Sequence, residues 1–213
     1  MSFENLNLHP LIIKAINEAG YTSPTPIQQQ AIPELLSGHD IMASAQTGTG
    51  KTAAFVLPAL HQLATPAKVR SRGPRVLVLT PTRELALQVS DAASKYGRHL
   101  PRTKVISILG GMPYPVQNKL LSQPVDILVA TPGRLLDHIQ RGRIDFSRLE
   151  MLVLDEADRM LDMGFIDDVE RIASATPATR QTLLFSATLD SAIDKIAARL
   201  LKTPKRIQIA TQR

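Results

Sequence analysis

A glycine-rich segment with the composition of a phosphate-binding loop lies near residue 50. It consists of Ala45, Gln46, Thr47, Gly48, Thr49, Gly50, Lys51 and Thr52, and it joins an apolar run to a segment with helical spacing. Glycines let backbone N–H groups turn toward an anion, and the start of the following helix adds its positive end. Lys51 would reach the β- and γ-phosphates, and the Thr52 hydroxyl would ligate Mg²⁺. The segment predicts nucleotide phosphate binding, although Ala45 stands where the strict pattern has glycine.

Two adjacent carboxylates follow another apolar run. Asp155 and Glu156 come directly after residues 151–154. A carboxylate at a strand end beside a phosphate-binding loop can hold Mg²⁺, largely through water, and a second carboxylate can orient an attacking water. Asp155 suits the metal and Glu156 suits the general base. The alternative is that the acids of 150–170 only favour a helix N-terminus, but this does not explain why they follow a strand.

Short β-branched runs alternate with segments of helical spacing. Strands are predicted at 40–45, 75–80, 104–109, 125–130, 150–154, 181–186 and 206–209, and helices at 8–19, 26–37, 51–63, 83–98, 113–121, 132–141, 156–174 and 190–201. This alternation predicts a single α/β lobe with a mostly parallel central sheet and helices on both faces. In such a sheet, ligands bind beyond the carboxyl ends of the strands.

The composition narrows the class of protein. The chain has 213 residues, no Cys, 44% hydrophobic residues and a net charge of +6. The absence of Cys excludes disulfides, thiolate metal sites and a cysteine nucleophile. No apolar run approaches the ~20 residues that span a bilayer, and the N-terminus does not resemble a signal peptide. These features predict a cytoplasmic protein without membrane contact.

The charge is unevenly distributed along the chain. Residues 66–105 contain nine basic and two acidic residues, whereas residues 150–170 contain one basic and eight acidic residues. The basic segment predicts a polyanionic partner, and the alternative is that these charges lie on solvated helix faces.

The order of the motifs resembles that of a known family. The chain is similar, over nearly its whole length, to the first RecA-like lobe of the DEAD-box ATP-dependent RNA helicases. Within this family it looks most like the bacterial RhlE-type members. The resemblance rests on Phe3, Gly20-Tyr21, Pro24 to Gln28, Ala45 to Thr52, Pro81 to Leu85, Gly110-Gly111, Thr131 to Arg134, Asp155-Glu156-Ala157-Asp158 and Ser186-Ala187-Thr188.

The resemblance implies an adenine site in an N-terminal helical extension, residues 1–38, attached to a RecA-like ATP-binding lobe, residues 39–213. Gln28 would read adenine through its carboxamide, Tyr21 would stack on the base, and Phe3 would brace the pocket. Without the resemblance, Gln28 in the run Gln28–Gln30 is interpreted as part of a solvated helix face. ATP or ADP and Mg²⁺ are the implied cofactors.

The resemblance also implies RNA binding through the backbone, without sequence specificity. Asp158 would bond Ser186 and Thr188 and so couple the nucleotide site to the RNA surface. The implied RNA contacts are Pro81, Thr82, Arg83, Gly110, Gly111, Thr131, Pro132, Gly133 and Arg134. Taken singly, these motifs are also ordinary helix N-termini and a turn, and the basic residues of 66–105 tip the interpretation toward phosphate binding.

In this family a second RecA-like lobe supplies arginine fingers, and the chain contains no segment that resembles it. We therefore expect this chain, as a monomer, to bind nucleotide but to turn it over very slowly. Two other classes of protein are considered. One is a small-molecule kinase, although no acceptor pocket or lid is recognisable, and the other is a non-enzymatic, nucleotide-gated RNA-binding module.

Overall fold

The computed structural model describes residues 2–46, 48, 50–101 and 103–209, and these ranges contain one sheet of seven parallel strands. The strands are β1 (Ile41–Ser44), β2 (Val76–Leu79), β3 (Val105–Ile108), β4 (Ile127–Ala130), β5 (Met151–Leu154), β6 (Gln181–Ser186) and β7 (Lys205–Gln208). Their spatial order is β3-β4-β2-β5-β6-β1-β7. The predicted parallel sheet in a single lobe is confirmed.

Helices cover both faces of this sheet, as expected for parallel strands joined by crossover connections. A 3₁₀ helix at Phe3–Leu6 precedes α1 (Pro10–Glu18), α2 (Pro26–Leu36), α3 (Lys51–Leu63), α4 (Arg83–Tyr96), α5 (Tyr114–Leu121), α6 (Pro132–Gln140), α7 (Ala157–Asp162), α8 (Ile166–Ser174) and α9 (Ser191–Leu200).

Alternate residues of each strand enter two separate cores. In β2, Val76 and Val78 belong to the core beneath α2, α3 and α4, whereas Leu77 and Leu79 belong to the core on the other face. All four residues are fully or almost fully buried. The period of two in a strand explains why β2 is apolar at every position, because both of its faces are covered.

The N-terminal extension is part of the first of these cores. Phe3, Leu6, Ile12 and Ile27 are buried in the same cluster as the strand residues Ala43 and Phe185. The extension is therefore a layer packed on the lobe rather than a separate folding unit.

One predicted helix is wrong in its extent. Residues 156–174 form two helices, α7 and α8, separated at Gly164, which has a φ of +80°. The Gly164 N–H donates to Leu161 O, and the Phe165 N–H donates to Met160 O. This is the hydrogen-bond pattern of a glycine C-cap, which ends a helix that the apolar periodicity alone would continue.

Because all seven strands are parallel, the connections between elements divide into two sets at opposite ends of the sheet. We name the connections that follow strands the carboxyl edge: 45–50, 80–82, 109–113, 131, 155–156 and 187–190. We name those that precede strands the amino edge: 37–40, 64–75, 97–104, 122–126, 141–150, 175–180 and 201–204. The motifs singled out in the sequence after residue 40 lie in or directly beside the carboxyl-edge connections, whereas Phe3, Tyr21 and Gln28 belong to the N-terminal extension.

Candidate functional site

The glycine-rich loop begins at the end of β1 and leads directly into α3. Gly48 and Gly50 have φ values of +86° and +85°, a region that L side chains rarely adopt. A Cβ on Gly50 would lie 2.6 Å from Gln28 Nε2 and 2.8 Å from Thr25 Oγ1. Gly50 is therefore required both by its backbone conformation and by the close approach of the N-terminal extension. The predicted residues Thr47 and Thr49 lie outside the described residues.

Lys51, Asp155 and Glu156 form a charged cluster at this edge. Lys51 Nζ lies 2.8 Å from Asp155 Oδ1 and 3.3 Å from Glu156 Oε2. Lys51 is 6% exposed and Asp155 is 1% exposed. Residues 104 positions apart in the chain meet because β5 and β1 lie on either side of β6. The structure thus brings together all three residues predicted to do the chemistry.

Burial controls the protonation of Asp155. Desolvation raises the pKa of this carboxyl, and the neighbouring Lys51 ammonium opposes that rise. A buried carboxylate needs a compensating cation, since its ionised form is strongly disfavoured in an apolar interior. Lys51 provides that compensation in this structure.

Glu156 has an unusual backbone conformation. Its φ of +54° places a residue that has a side chain in the left-handed region. Such a conformation costs on the order of 1–3 kcal/mol and is concentrated at functional sites. Arg159 Nη1 lies 3.6 Å from Glu156 Oε1, and Lys51 pairs with the other carboxylate oxygen. The strain places the second carboxylate beside the first at the end of the strand.

The hydrogen bonds expected from Asp158 to Ser186 and Thr188 are not present among the described residues. Ser186 Oγ and Asp158 Oδ1 are both buried without a hydrogen-bond partner there, and Thr188 is exposed. Burying polar atoms without partners is costly. The three residues follow β5 and β6 at the carboxyl edge, but the predicted contact between them is wrong for this conformation.

Gln28 is buried, which excludes the solvated-face interpretation. Its Oε1 accepts from the Thr25 N–H at 3.0 Å, and its Nε2 donates to Gly50 O at 3.0 Å. Its neighbours Gln29 and Gln30 are exposed. The carboxamide therefore joins the start of α2 to the phosphate-binding loop, a contact that the sequence reasoning did not foresee.

The two aromatic residues predicted for the adenine pocket have different environments. Phe3 is 5% exposed within the core. Tyr21 is 49% exposed, its ring centroid lies 6.2 Å from that of Tyr96, and Lys95 Nζ lies 5.2 Å from the ring. Burial and the nearby Tyr21 raise the pKa of Tyr96 to about 12. Tyr21 thus presents a ring to solvent beside a cation, whereas Phe3 serves packing.

The motifs predicted to contact RNA follow three adjacent strands, β3, β4 and β2. Thr82 caps α4, because its Oγ1 accepts from the Leu85 N–H at 3.3 Å. Thr131 does not cap α6 in this way and instead accepts from the Gly110 N–H at 3.1 Å. Within the described residues, the N–H groups of Arg83, Gly111 and Gly133 have no hydrogen-bond partner. These groups are available to bind an anion.

Gln117 is a central residue of this region that the sequence reasoning missed. Its side chain is fully buried in α5 and donates to Leu109 O at 2.8 Å. Its Oε1 accepts from Arg134 Nη1 at 3.1 Å and from His138 Nε2 at 2.7 Å. Since an amide oxygen only accepts, His138 carries its proton on Nε2. A glutamine six residues after Gly111 is the only sequence signal available, and nothing in the sequence indicates that it is buried.

Arg134 also has a structural role. Its Nη1 donates to Met112 O at 2.5 Å, and its guanidinium lies 4.1 Å from the ring centroid of Tyr114. Gln117, Thr131 and Arg134 therefore hold the glycine turn on both sides of Gly110-Gly111. The predicted RNA contact of Arg134 can come from its backbone, since its side chain already braces the turn.

The basic residues of 66–105 are mostly not at this site. Lys68, Arg70, Arg72 and Arg75 precede β2, so they lie at the amino edge. Arg83 does lie at the carboxyl edge, at the start of α4. The predicted support of the RNA motifs by this basic segment is wrong, because linear proximity in the sequence does not reveal which end of a strand a residue occupies.

Clusters of metal ligands and membrane-spanning helices are two further features that bear on function. Within the described ranges, no three His, Asp or Glu side chains are grouped to hold a metal ion. Among the residues that the structure describes, no helix combines the length and apolar character needed to cross a membrane. Any Mg²⁺ held by Thr52 and Asp155 would need further ligands from phosphate and water, which is the usual coordination of Mg²⁺ beside nucleotides.

Comparisons with known proteins agree with the geometry. A family model described as "DEAD/DEAH box helicase" matches residues 25–196. The chain is 50% identical over 203 residues to the ATP-dependent RNA helicase DeaD of Mycobacterium tuberculosis strain H37Rv, covering 95% of this chain and 35% of that protein. It is 49% identical over 208 residues to the protein of that name from Escherichia coli K12, covering 98% and 32%.

A solved structure has the same fold. The crystal structure of a DEAD box protein from the hyperthermophile Methanococcus jannaschii matches with a TM-score of 0.89 and 40% identity, covering 98% of this chain and 56% of that chain. This likeness confirms the predicted RecA-like α/β lobe. The present chain spans about a third of the length of the two DeaD relatives.

Proposed function

The chain belongs to the DEAD/DEAH box helicase family, and we propose that it is the ATP-binding lobe of an ATP-dependent RNA helicase. In the whole protein, RNA-stimulated ATP hydrolysis would drive local unwinding of RNA duplexes. The observation that carries the proposal is the contact of Lys51 Nζ with both Asp155 and Glu156 beside a glycine loop of the phosphate-binding type. The named relatives are both ATP-dependent RNA helicases.

Nucleotide binding follows from the loop and from the cluster. Lys51 would move from the carboxylates to the β- and γ-phosphates, and the backbone N–H groups around Gly48 and Gly50 would surround them. Thr52 and Asp155 are the residues that fit Mg²⁺, as a hydroxyl and a buried carboxylate oxygen are hard oxygen ligands. When bound, Mg²⁺ would neutralise charge on the phosphates. Asp155 would then have Mg²⁺ as its cationic neighbour in place of Lys51.

Glu156 is the proposed general base. Its carboxylate is held next to Asp155 by a strained backbone, and among the described residues its ion pairs are with Lys51 and Arg159. Withdrawal of Lys51 toward a phosphate would free Glu156 Oε2 to accept a proton from an attacking water. A carboxylate base can serve either water or a substrate hydroxyl, so the match to the helicase family favours hydrolysis over the kinase alternative.

The adenine and RNA parts of the proposal rest on separate regions. Gln28 retains one N–H and one lone pair for adenine while it holds Gly50, and Tyr21 offers an exposed ring for stacking. The free N–H groups of Arg83, Gly111 and Gly133 would bind phosphates of the RNA backbone. Because these donors do not contact bases, binding would be independent of sequence and sensitive to salt.

Coupling between the two regions is assigned to Asp158, Ser186 and Thr188. Ser186 Oγ and Asp158 Oδ1 are buried and lack partners among the described residues. A closing movement that joined them would remove two costly unpaired groups at once. The second RecA-like lobe, with its arginine fingers, would provide the remaining catalytic groups. We expect this chain alone to be monomeric and to bind ATP or ADP with little turnover.

We also propose that the protein is cytoplasmic and that it belongs to the RhlE-type subfamily. The two relatives named above are called DeaD, so the subfamily proposal is supported by the motif sequences alone.

The substitution Glu156→Gln tests the mechanism in a protein that carries both lobes. We expect RNA-stimulated ATP turnover to fall by about 10²–10⁴-fold, because the amide cannot accept a proton, while the affinity for ATP is retained. Asp162→Asn, at an exposed acid at the end of α7, is the matched control. Unchanged turnover in the Glu156 variant would exclude the general-base assignment. Rapid turnover by the single lobe with saturating RNA would exclude the need for a second lobe.

A further inference from the structure

The positive charge of this protein is concentrated at the edge of the sheet opposite the site described above. Among the described residues, the amino-edge connections contain eleven basic residues and four acidic ones, Asp40, Asp126, Asp145 and Glu150. The carboxyl-edge connections contain no basic residue and three acidic ones, Asp155, Glu156 and Asp190. The net charge of +6 is thus not explained by the proposed nucleotide and RNA contacts.

Part of the charge at the amino edge is neutralised locally. Arg75 pairs with Glu150 at 2.8 Å, and Arg148 Nη2 lies 3.7 Å from Asp126 Oδ1. The side chains of Lys68, Arg70 and Arg72 are exposed and make no hydrogen bond or ion pair within the described residues. These three residues lie within five positions of one another and form what we call the basic loop.

The basic loop is held on a fixed base. Ser71 Oγ donates to Asp145 Oδ2 at 2.9 Å, and Arg148 Nε donates to Gly73 O. The Val125 N–H donates to Arg72 O at 3.0 Å. A Cβ on Gly73 would overlap Asp145 O, so the loop passes directly against the connection before β5. These contacts anchor the backbone at Ser71, Arg72 and Gly73, and Lys68 and Arg70 lie directly before this anchored segment.

Two cavities are lined by residues of the basic loop, and another lies next to one of them. One of about 280 Å³ is lined by Arg72 and Arg143 and continues toward Gln123. A second of about 420 Å³, which no residue of the basic loop lines, also contacts Gln123 and is lined by Lys104 and Asp126. A third of about 520 Å³ is lined by Lys68 and Val69. Asp145, the acid of the first cavity, stays ionised, because hydrogen bonds from Ser147 and Ser71 lower its pKa; these bonds engage both of its oxygens and partly offset its negative charge.

We propose that the basic loop, with Lys104 and Arg143, forms a second binding surface for the phosphate backbone of RNA, away from the helicase motifs. Guanidinium groups bind phosphates through paired hydrogen bonds, and lysines act as point charges. An acidic protein is the other class of partner. It is less favoured because Val69 is the only large exposed hydrophobic residue in the loop, whereas protein interfaces need buried apolar or aromatic anchors.

This surface would give the protein a second binding site on a long RNA. Sequence-independent contacts at the amino edge would persist while the carboxyl edge binds and releases RNA with each nucleotide cycle. The inference builds on the proposed RNA activity, but it concerns residues that the proposed mechanism does not use.

The test is a triple variant of this chain, Lys68→Gln, Arg70→Gln and Arg72→Gln. Binding to a 30-nucleotide poly(U) RNA is measured by fluorescence anisotropy as a function of salt. The matched control neutralises three exposed cations elsewhere, Lys14, Arg171 and Lys195, on α1, α8 and α9. Thermal melting and binding of a fluorescent ATP analogue establish that both variants remain folded.

At low salt we expect the triple variant to bind the RNA at least tenfold more weakly than the unaltered chain. The slope of log K against log salt should decrease in magnitude by about 2, since each lost phosphate contact removes about 0.7 for a single strand. The control variant should change both quantities much less. A triple variant with the affinity and slope of the control variant would overturn the proposal. Loss of binding to polyglutamate, tested as a model of an acidic protein, without loss of RNA binding would likewise overturn it.

Two further outcomes separate this inference from the proposed function. Complete loss of RNA binding in the triple variant would support the basic loop and count against RNA contacts at the carboxyl edge. Absence of RNA binding by the unaltered chain would overturn both proposals.

Discussion

The charged groups at the two edges of the sheet differ in burial and in pairing. At the carboxyl edge, the charged residues that matter are buried and paired, as with Lys51 and Asp155, and the free donors are backbone N–H groups. At the amino edge, the free groups are exposed side chains on an anchored loop. Buried pairs and backbone donors fix geometry, whereas exposed cations add long-range attraction without defining a position. Chemistry is expected at the first edge and attachment at the second.

The sharpest test of this comparison is Lys51→Met. The variant would lose nucleotide binding, and it would leave Asp155 buried without a cation. Removing one member of a buried pair costs about 3–5 kcal/mol in the free energy of unfolding. Neutralising an exposed cation of the basic loop should leave that free energy nearly unchanged.

The loss of stability in the Lys51→Met variant should depend on pH in a defined direction. Without Lys51, the pKa of Asp155 in the folded state rises further above its unfolded value of about 3.9. Folding then favours the protonated acid, so the variant is most stable below about pH 4 and loses stability as the pH rises toward the folded pKa. Denaturant unfolding at several pH values measures this window. Adding Asp155→Asn should remove the pH dependence, and its persistence in the double variant would count against this assignment.

A second test concerns the glycine turn at the carboxyl edge. Gln117→Leu leaves Leu109 O without its donor and His138 Nε2 without its acceptor, and it removes one of the two acceptors of Arg134 Nη1. The free energy of unfolding should fall by about 2–3 kcal/mol because buried polar groups lose their partners. RNA affinity should fall with it, while affinity for the ATP analogue stays unchanged, since the nucleotide motifs follow other strands.

The exposed Gln140 at the end of α6 offers the control substitution Gln140→Leu. Equal losses of RNA and nucleotide affinity in the Gln117 variant would indicate general destabilisation rather than loss of a positioned turn.

The smallest expected effect is that of Gln28→Leu. It removes the hydrogen bonds to the Thr25 N–H and to Gly50 O, at a cost of about 1–2 kcal/mol. Nucleotide affinity should decrease, because the phosphate-binding loop loses its tie to α2 and adenine loses a polar partner. Isothermal titration with ADP measures this loss. Gln30→Leu, at an exposed position two residues along the same helix, should leave affinity unchanged if the tie is specific.

Much of the fold could be predicted because the signals are local. The apolar runs before Ala45 and Asp155 matched β1 and β5, and Pro132 matched the first residue of α6. The predicted helix 156–174 failed at Gly164, since amphipathic spacing continues across a glycine C-cap. Thr131 was expected at a helix start, but its hydroxyl bonds Gly110 instead. That partner is 21 residues away in the sequence and is contributed by a neighbouring strand.

The residue types by themselves predicted the chemistry proposed for this chain. A glycine-rich loop with Lys51 and Thr52, and paired carboxylates after an apolar strand, are the pattern typical of phosphate binding and hydrolysis. The tertiary structure decided where these residues lie. The order β3-β4-β2-β5-β6-β1 puts the motifs predicted to contact RNA after the first three strands, and the glycine-rich loop and the paired carboxylates after β1 and β5. It also places the basic loop at the far edge, because strand direction and strand order are set by long-range packing, which local sequence does not encode.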